Sequence, residues 1–357
     1  MATEPPPTTN ISPTQAHAFA TSILTHSGVP ADRAHTIADC LVLADLRGVD
    51  THGLNRLPGY IARIQHGVLA PNPPLPLTQK TPVMALLDAN HTFGFVAGAL
   101  AIDHGVRMAE TFGVGIVGVR NSGHYGMAAS YLLRAMEKGY AAFAFTNASR
   151  AMPAWGAREP LLGTSPFAVG LPGGEKGGFV LDMSPSVVAR GKIRKAARRG
   201  ERIPEGWALD AEGRDTNDPV EALKGVVLPI GGPKGSGLAM MMDIFGGLLT
   251  GSSFGGDVND QYKTLDKRQG VGHWFMVFRP EVFLDSKEEY LERMDTLLER
   301  VRSSEKAAGV TQIFTPGEIE DAKMKVQREG GIPFTGNEIE SLHELAKTVG
   351  SDARLLN

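Results

Sequence analysis

Apolar positions recur along this chain with three different rhythms, and each rhythm predicts its own kind of element. The first stretch is helical. "SPTQ" (12–15) offers a capping serine, a proline at the first helical position and a glutamine completing a capping box; the helix it opens runs to about 26 and stops at Gly28. Ala34, Ile37, Ala38, Leu41 and Leu46 keep roughly helical spacing in a second helix that ends at Gly48. "LPGYIARIQHG" (57–67) reads as a third, with Pro58 at its start and Gly67 at its end. Proline-rich "LAPNPPLPLTQKTP" (69–82) then reads as an extended connector and a domain boundary. Beyond it the rhythm changes to short apolar runs. "VMALLDA" (83–89), "GVGIVGV" (113–119), "YAAFAFTN" (140–147), "GGFVLDM" (177–183) and "WFMVFRP" (274–280) are strand candidates, with a helix over 95–111 between the first two. The last stretch is helical again. Tyr290, Leu291, Met294, Leu297, Leu298 and Val301 share one face of 286–304, and "TPGE" (315–318) and "TGNE" (335–338) match capping boxes that open two final helices. Residues 1–11, rich in Pro and Thr, have too little to bury and are expected to be disordered.

Composition narrows the class. The 357 residues allow two domains, and 42% hydrophobic with 21% charged residues is ordinary globular stock. Net charge is −3, with Lys and Arg scattered, so no basic stripe or aromatic platform argues for nucleic acid. The N-terminus lacks the basic and apolar segments of a secretory signal. The most apolar run, "GLAMMMDIFGGLL" (237–249), is too short for a membrane span and reads as a buried helix. A cytoplasmic protein without membrane partners is the expectation. The single Cys40 excludes an intramolecular disulfide and a cysteine-rich metal site, and its apolar surroundings read as a small buried hydrophobe. The 43 glycines, nearly twice the usual share, predict many tight turns and close backbone approaches.

Several familiar motifs fail on inspection. "GVGIVG" (113–118) matches a dinucleotide fingerprint in letters only. Its glycines lie inside the apolar strand run, no helix follows at once, and no acidic residue ends a second strand about 20 positions on. Small residues packing a strand on a helix explain it better. "GGPKGSGLAMMM" (231–242) does precede an apolar helix, and backbone N–H groups around Gly235 to Gly237 beside Lys234 would suit an anion; a plain helix cap with a solvated lysine is the alternative. No HExxH occurs, so no metal is expected, and "GTSPF" (163–167) fails as a nucleophile elbow at its last position. Two histidines stand out. In "RGVDTHGLNR" (47–56), His52, Arg56 and Tyr60 are spaced to share a helical face, although Pro58 interferes with one continuous helix. A histidine holds or releases a proton near neutrality, and an arginine clamps a carboxylate with two parallel N–H bonds. In "RNSGHYGMA" (120–128), His124 sits between small residues, Gly123 and Gly126, with room beside it for something that is not protein. His273, in "GVGHWF", could be core or functional.

With "RGVDTHGLNRLPGYI", "RNSGHYGMAASYL", "VLDMSPSVVARGKI", "IPEGWALDAEGRDTNDP", "GGPKGSGL", "GVGHWF" and "PGEIE", the chain resembles the malate/L-lactate dehydrogenase family over about 12–345. The resemblance implies an α+β fold: a mixed-sheet, non-Rossmann dinucleotide-binding domain (71–284) beside a helical domain built from 12–70 with 285–357. It implies NAD or NADP as cofactor, a small 2-oxo/2-hydroxy acid as substrate and a homodimer. His52 and His124 become the two candidates for the proton donor, and His124 also faces the nicotinamide. Arg56 resembles the substrate-carboxylate ligand, with Thr51 and Tyr60 beside it. Cofactor contacts are implied for Asp182, Met183 and Ser184, for Lys234 and Gly235, for Pro316, Gly317 and Glu318, and for Ala148, where relatives often have a hydroxyl. Two other functions stay open at this point: reduction of a cyclic imino acid on the same fold, and a catalytically silent dinucleotide-binding protein.

Overall fold

The computed structural model describes residues 7–356. A short strand β1 (Thr8–Ile11) leads into helices α1 (Pro13–His26), α2 (Ala31–Leu46) and α3 (Leu57–Gln65), with two 3₁₀ turns (Asp50–His52 and Leu54–Arg56) joining the last two. Next come β2 (Leu77–Thr81), β3 (Met84–Asp88), α4 (Gly94–Phe112), β4 (Val114–Ser122), α5 (Ala129–Met136) and β5 (Ala141–Thr146). Strands β6 (Arg150–Met152), β7 (Leu162–Gly163), β8 (Phe167–Leu171) and β9 (Phe179–Met183) precede a lobe of α6 (Arg190–Arg199), β10 (Ala208–Leu209), α7 (Pro219–Lys224) and β11 (Val226–Val227). Helix α8 (Pro233–Asp243) runs into a π turn (Ile244–Leu248). The chain finishes with β12 (Val271–Phe278), α9 (Lys287–Arg302), α10 (Glu318–Gly330), β13 (Ile332–Thr335) and α11 (Gly336–Val349).

Seven strands form one mixed sheet in the order β2-β3-β4-β12-β5-β8-β9, in which only β3 and β4 run parallel. This is the α+β, non-Rossmann arrangement. The fingerprint-like glycines do what close packing asks of them: a Cβ on Gly115 of β4 would sit 2.4 Å from the Gly105 carbonyl of α4. Gly113 ends α4 in the left-handed region, with φ of 84°. The helical core gathers α1, α2, α3, β13 and α11, with Phe93 and Phe95 reaching in from the start of α4. Around α6 and β10 a small separate core forms from Val188, Ile193, Ile203, Ala208, Ala222 and Val227. Among the described residues no helix is long and apolar enough to cross a membrane.

Local capping was legible. Ser12 accepts the Gln15 N–H at the start of α1, and Thr335 and Glu338 form a complete capping box on α11. Elsewhere the structure corrects the expectations. Residues 1–6 lie outside the described part, but Thr8–Ile11, assigned above to a disordered tail, pair antiparallel with β13, and Ile11 is buried. One apolar side chain suffices there because β13 supplies the ladder. "TPGE" does not cap through Thr315: the N-cap of α10 is Gly317, with φ of 99°, and only the reciprocal half appears, the Thr315 N–H donating to Glu318. Helix α9 does not join the N-terminal helices. Tyr290, Met294 and Leu298 pack on Leu171, and Asp295 accepts the backbone N–H groups of Gly174, Glu175 and Lys176 beyond β8. The apolar run at 237–249 is not buried either, since Met240, Ile244 and Leu248 are 50%, 41% and 50% exposed.

If β1 is structural, Ile11→Ala should cost about 2–5 kcal/mol of unfolding free energy, the range for truncating a buried isoleucine. Urea denaturation measures it, and a parental midpoint would return residues 8–11 to the status of a tail.

Candidate active site

The site begins at the end of α2. Asp45 lies on that helix's inward face, only 4% exposed, and its Oδ2 accepts the Leu54 N–H at 2.8 Å. Gly53 presses against the same carboxylate, so that a Cβ there would lie 1.7 Å from Oδ1. The backbone must therefore fold tightly around Asp45 through two 3₁₀ turns, which carry Thr51 and His52 on one and Arg56 on the other. Pro58 falls in the first turn of α3, where its missing N–H costs nothing, and Tyr60 follows one turn after Arg56. One continuous helix from His52 to Tyr60 is thus replaced by two turns and a helix start.

The second half of the site is the reversal after β4. The Gly123 N–H donates to Thr92 O at 3.0 Å, and the Gly94 N–H to His124 O at 3.2 Å. A Cβ on Gly126 would strike the Phe95 ring at 2.3 Å, and one on Gly123 would crowd Thr92 O at 3.1 Å. These glycines do not clear space beside His124, as their spacing suggested. They let the loop sink onto the start of α4, burying Ser122, Gly123, Tyr125 and Gly126 and leaving His124 as the partly exposed residue among them.

The two halves meet. The His52 and His124 rings stack with centroids 5.4 Å apart and planes 23° apart. His124 Nδ1 accepts the Tyr60 hydroxyl at 2.8 Å and the Gly126 N–H at 3.3 Å. A backbone N–H can only donate, so Nδ1 carries the lone pair and the neutral ring holds its proton on Nε2. Thr51 Oγ1 lies 2.9 Å from His52 Nδ1, and Arg56 Nε donates to the Thr51 carbonyl. Burial, aided by Arg56, pulls His52 down to about 4; burial, His52 and Arg56 together pull His124 well below the usual imidazole range. Both rings therefore rest neutral beside a guanidinium that has no carboxylate partner within ion-pair distance among the described residues.

Most of the remaining candidates lie on β9 or in segments that touch it or the residues just after it. Asp182 Oδ2 accepts the Ala129 N–H at 2.8 Å, capping the helix that follows the His124 loop, and burial raises its carboxyl to about 6. Met183 ends the strand opposite Phe167, and the Ser184 hydroxyl bonds that of Ser186 at 2.8 Å. Gly235 belongs here because a Cβ would lie 2.7 Å from Pro185 O. Pro316 O accepts the Val180 N–H at 3.1 Å, Gly317 abuts Val180, and Glu318 pairs with Arg302 at 2.7 Å. Ala148 follows β5, its carbonyl in the space a Cβ on Gly163 would need. The anion cradle expected at 235–237 is only partly present: the N–H groups of Lys234, Gly235 and Ser236 are spent on Gly231, Ile230 and Gly232 carbonyls. What remains is an exposed Lys234 without an ion-pair partner among the described residues. A dinucleotide fits this set: Lys234 has no ion-pair partner among the described residues, and Asp182 and Glu318, the acidic groups among these candidates, are already engaged.

Comparison with known proteins gives the same direction. The malate/L-lactate dehydrogenase family matches residues 11–343. The chain belongs to that family. L-sulfolactate dehydrogenase of Methanocaldococcus jannaschii is 37% identical over 92% of this chain and 94% of its own. A (2R)-3-sulfolactate dehydrogenase (NADP(+)) of Chromohalobacter salexigens is 36% identical over 83% and 87%, and a ureidoglycolate dehydrogenase (NAD(+)) of Escherichia coli K12 32% identical over 88% and 90%. Among solved structures, the sulfolactate dehydrogenase of M. jannaschii superposes with a TM-score of 0.91 at 34% identity, covering 97% and 98% of the two chains. A delta1-piperideine-2-carboxylate reductase of Pseudomonas syringae superposes at 0.86 and 27%, covering 95% and 100%. As a member of this family the chain is a dehydrogenase that uses NAD or NADP.

Sequence reasoning missed Asp45, Arg63, Tyr262 and Gln269. A lone acid on the apolar face of α2 was a visible signal for Asp45. Nothing local marks Gln269, whose Oε1 accepts the His124 N–H at 2.9 Å, or Tyr262, whose ring lies 5.2 Å from the Arg56 guanidinium. His273 is resolved as core: it is buried, its nitrogens bond Thr146 and Ser122 at 2.7 and 2.8 Å, and Tyr125 stacks on it.

Gly53→Ala should drive a methyl into the Asp45 carboxylate, costing about 1–3 kcal/mol as overpacking does and displacing both 3₁₀ turns. Unchanged stability with unchanged turnover would contradict that contact. Because His52 falls from 6.5 to about 4 on folding, the unfolded chain binds more protons between those values, and stability is lost as pH drops through that window. His52→Gln should therefore shrink the difference in unfolding free energy between pH 7 and pH 5; an equal or larger difference speaks against it.

Proposed function

We propose that this chain interconverts a small 2-hydroxy acid and its 2-oxo acid, with His124 as the group bonded to the reacting oxygen and Arg56 as the carboxylate ligand. The observation that carries the reading is the convergence of His52, His124, Tyr60 and Arg56 on one partly exposed patch, with neutral rings beside an uncompensated cation. Asp182–Ser184, Lys234–Gly235 and Pro316–Glu318 would hold the nicotinamide cofactor, whose chemistry would be to supply or take up the hydride. Everything else falls to side chains. Arg56 takes the carboxylate in its planar fork and so orients the carbon under attack. His124 offers Nε2–H to the carbonyl oxygen, while Tyr60 and the Gly126 N–H fix the ring from the opposite nitrogen. As charge grows on that oxygen the Nε2 proton crosses to it while the Tyr60 hydroxyl, already bonded to Nδ1, passes its own proton to that nitrogen, so the ring stays neutral and the phenolate left beside Arg56 is reprotonated from solvent.

Reduction of a cyclic imino acid is the second reading, favoured by the likeness to the piperideine-carboxylate reductase. It would use the same arginine and the same histidine on a nitrogen. A homodimer fits the exposed apolar stripe of Met240, Ile244, Leu248 and Leu249, which a second copy would cover. The cytoplasm suits a chain with one cysteine, its thiol pushed up to about 12 by burial.

His124→Gln should lower kcat by about 10²- to 10⁴-fold with cofactor binding retained, and Arg56→Met should raise KM for the acid. Assays pair NADH and NADPH with pyruvate, oxaloacetate, sulfopyruvate and cyclic imino acids. Near-parental turnover by both variants would overturn the assignment. Ile244→Glu should shift the mass measured by light scattering toward a monomer; a parental mass removes the stripe as an interface.

A further inference from the structure

Arg63 is only 2% exposed and has no carboxylate within ion-pair distance among the described residues: its guanidinium faces three backbone carbonyls of a distant loop. Nη1 donates to Gln261 O at 3.4 Å and Thr264 O at 2.9 Å, and Nη2 donates to Lys267 O at 3.0 Å. Those carbonyls converge because 260–264 forms one tight turn, closed by Thr264 N–H on Asp260 O and capped by Asp260 Oδ1 on the N–H groups of Tyr262 and Lys263. A buried guanidinium is tolerated when its donors are met, and carbonyls at a turn's end meet them.

The latched loop reaches the site at two points. Tyr262 lies over the Arg56 guanidinium, and Gln269 holds the backbone N–H of His124. Arg56 at the start of α3, Tyr60 and Arg63 stand four and seven positions along, which is one face of that helix. A single helix face thus presents the carboxylate ligand, the hydroxyl that orients His124, and the clamp on the loop that covers the carboxylate ligand. Tyr262 is itself 47% exposed and its hydroxyl makes no hydrogen bond among the described residues, so its place above Arg56 depends on the backbone that carries it.

We propose that Arg63 is a positioning residue for substrate binding: by clamping the 260–267 turn it keeps Tyr262 stacked on Arg56, which holds that guanidinium in register for the substrate carboxylate. The statement rests on Arg56 being the carboxylate ligand, and its test is built to separate the two. Arg63→Met should expose Lys263, Lys267 and Arg268 to trypsin, with cleavage in 263–268 at least about tenfold faster. It should raise KM for the 2-oxo acid about three- to tenfold, with kcat within about twofold and NADH affinity unchanged, the signature of lost ground-state binding. Tyr262→Ala should raise KM to a similar extent, and the double variant should be no worse than the poorer single one. Parental trypsin resistance, a parental KM, or KM effects that multiply in the double variant would each overturn the proposal. Should Arg63→Met not fold, Arg63→Lys carries the same test, since a point charge cannot span three carbonyls as the planar fork does. The trypsin measurement needs no turnover. A chain inactive on every acid would refute the reaction while leaving the clamp to stand or fall by cleavage.

Discussion

A single buried carboxylate organises the catalytic end of this protein. Asp45 sits where α2 stops, bonded to the Leu54 N–H and in contact with Gly53, and burial lifts its carboxyl to about 8. That cost is accepted in exchange for geometry. A backbone wrapped around one side chain has no freedom to drift, so Thr51, His52 and Arg56 leave the turn in fixed directions. Gly53 is then a consequence of the contact, since any Cβ would occupy the space the oxygen fills.

From that fixed turn the electrostatics follow. Two imidazoles stacked 5.4 Å apart beside a guanidinium repel any added proton, and burial strengthens the repulsion. The His124 ring holds one defined tautomer because its Nδ1 has a donor it cannot refuse, the Gly126 N–H. The result is an unpaired cation beside a ring whose proton sits on Nε2, the two groups that the proposed reaction would use on a carboxylate and an oxygen. Such preorganised dipoles act where charge develops and need no rearrangement when it does.

Glycine has a different task here from the one its motifs advertise. Gly115 lets β4 lie on α4, Gly126 lets the His124 loop sink onto Phe95, and Gly235 lets the start of α8 touch the segment after β9. In each case the missing Cβ admits backbone or ring from another part of the chain, not a ligand. The segments proposed to hold the cofactor come together for the same reason: Pro316 and Gly317 lie against Val180 of β9, and Gly235 against Pro185 just after it, through close approaches that a Cβ on either glycine would block.

Most of the helices, the caps of α1 and α11 and most of the sheet strands were legible from local pattern, because helical periodicity and capping chemistry are decided within a few residues. The family, the two histidines and Arg56 were legible too, since irregular motifs survive in a linear string. The pairing of Thr8–Ile11 with Ile332–Thr335 was not, because a strand with one apolar residue exists only by virtue of its partner. Nor was the seating of α9 on Leu171, or the apolar face left uncovered on α8. Tyr262 above Arg56, Gln269 behind His124 and the clamp of Arg63 join residues about 145 to 206 positions apart, and such contacts are set by how layers pack. Sequence alone determined the family and which candidate groups the chain carries. Tertiary structure decided which of them meet, and in which protonation state, because burial and distance act only once the chain has closed on itself.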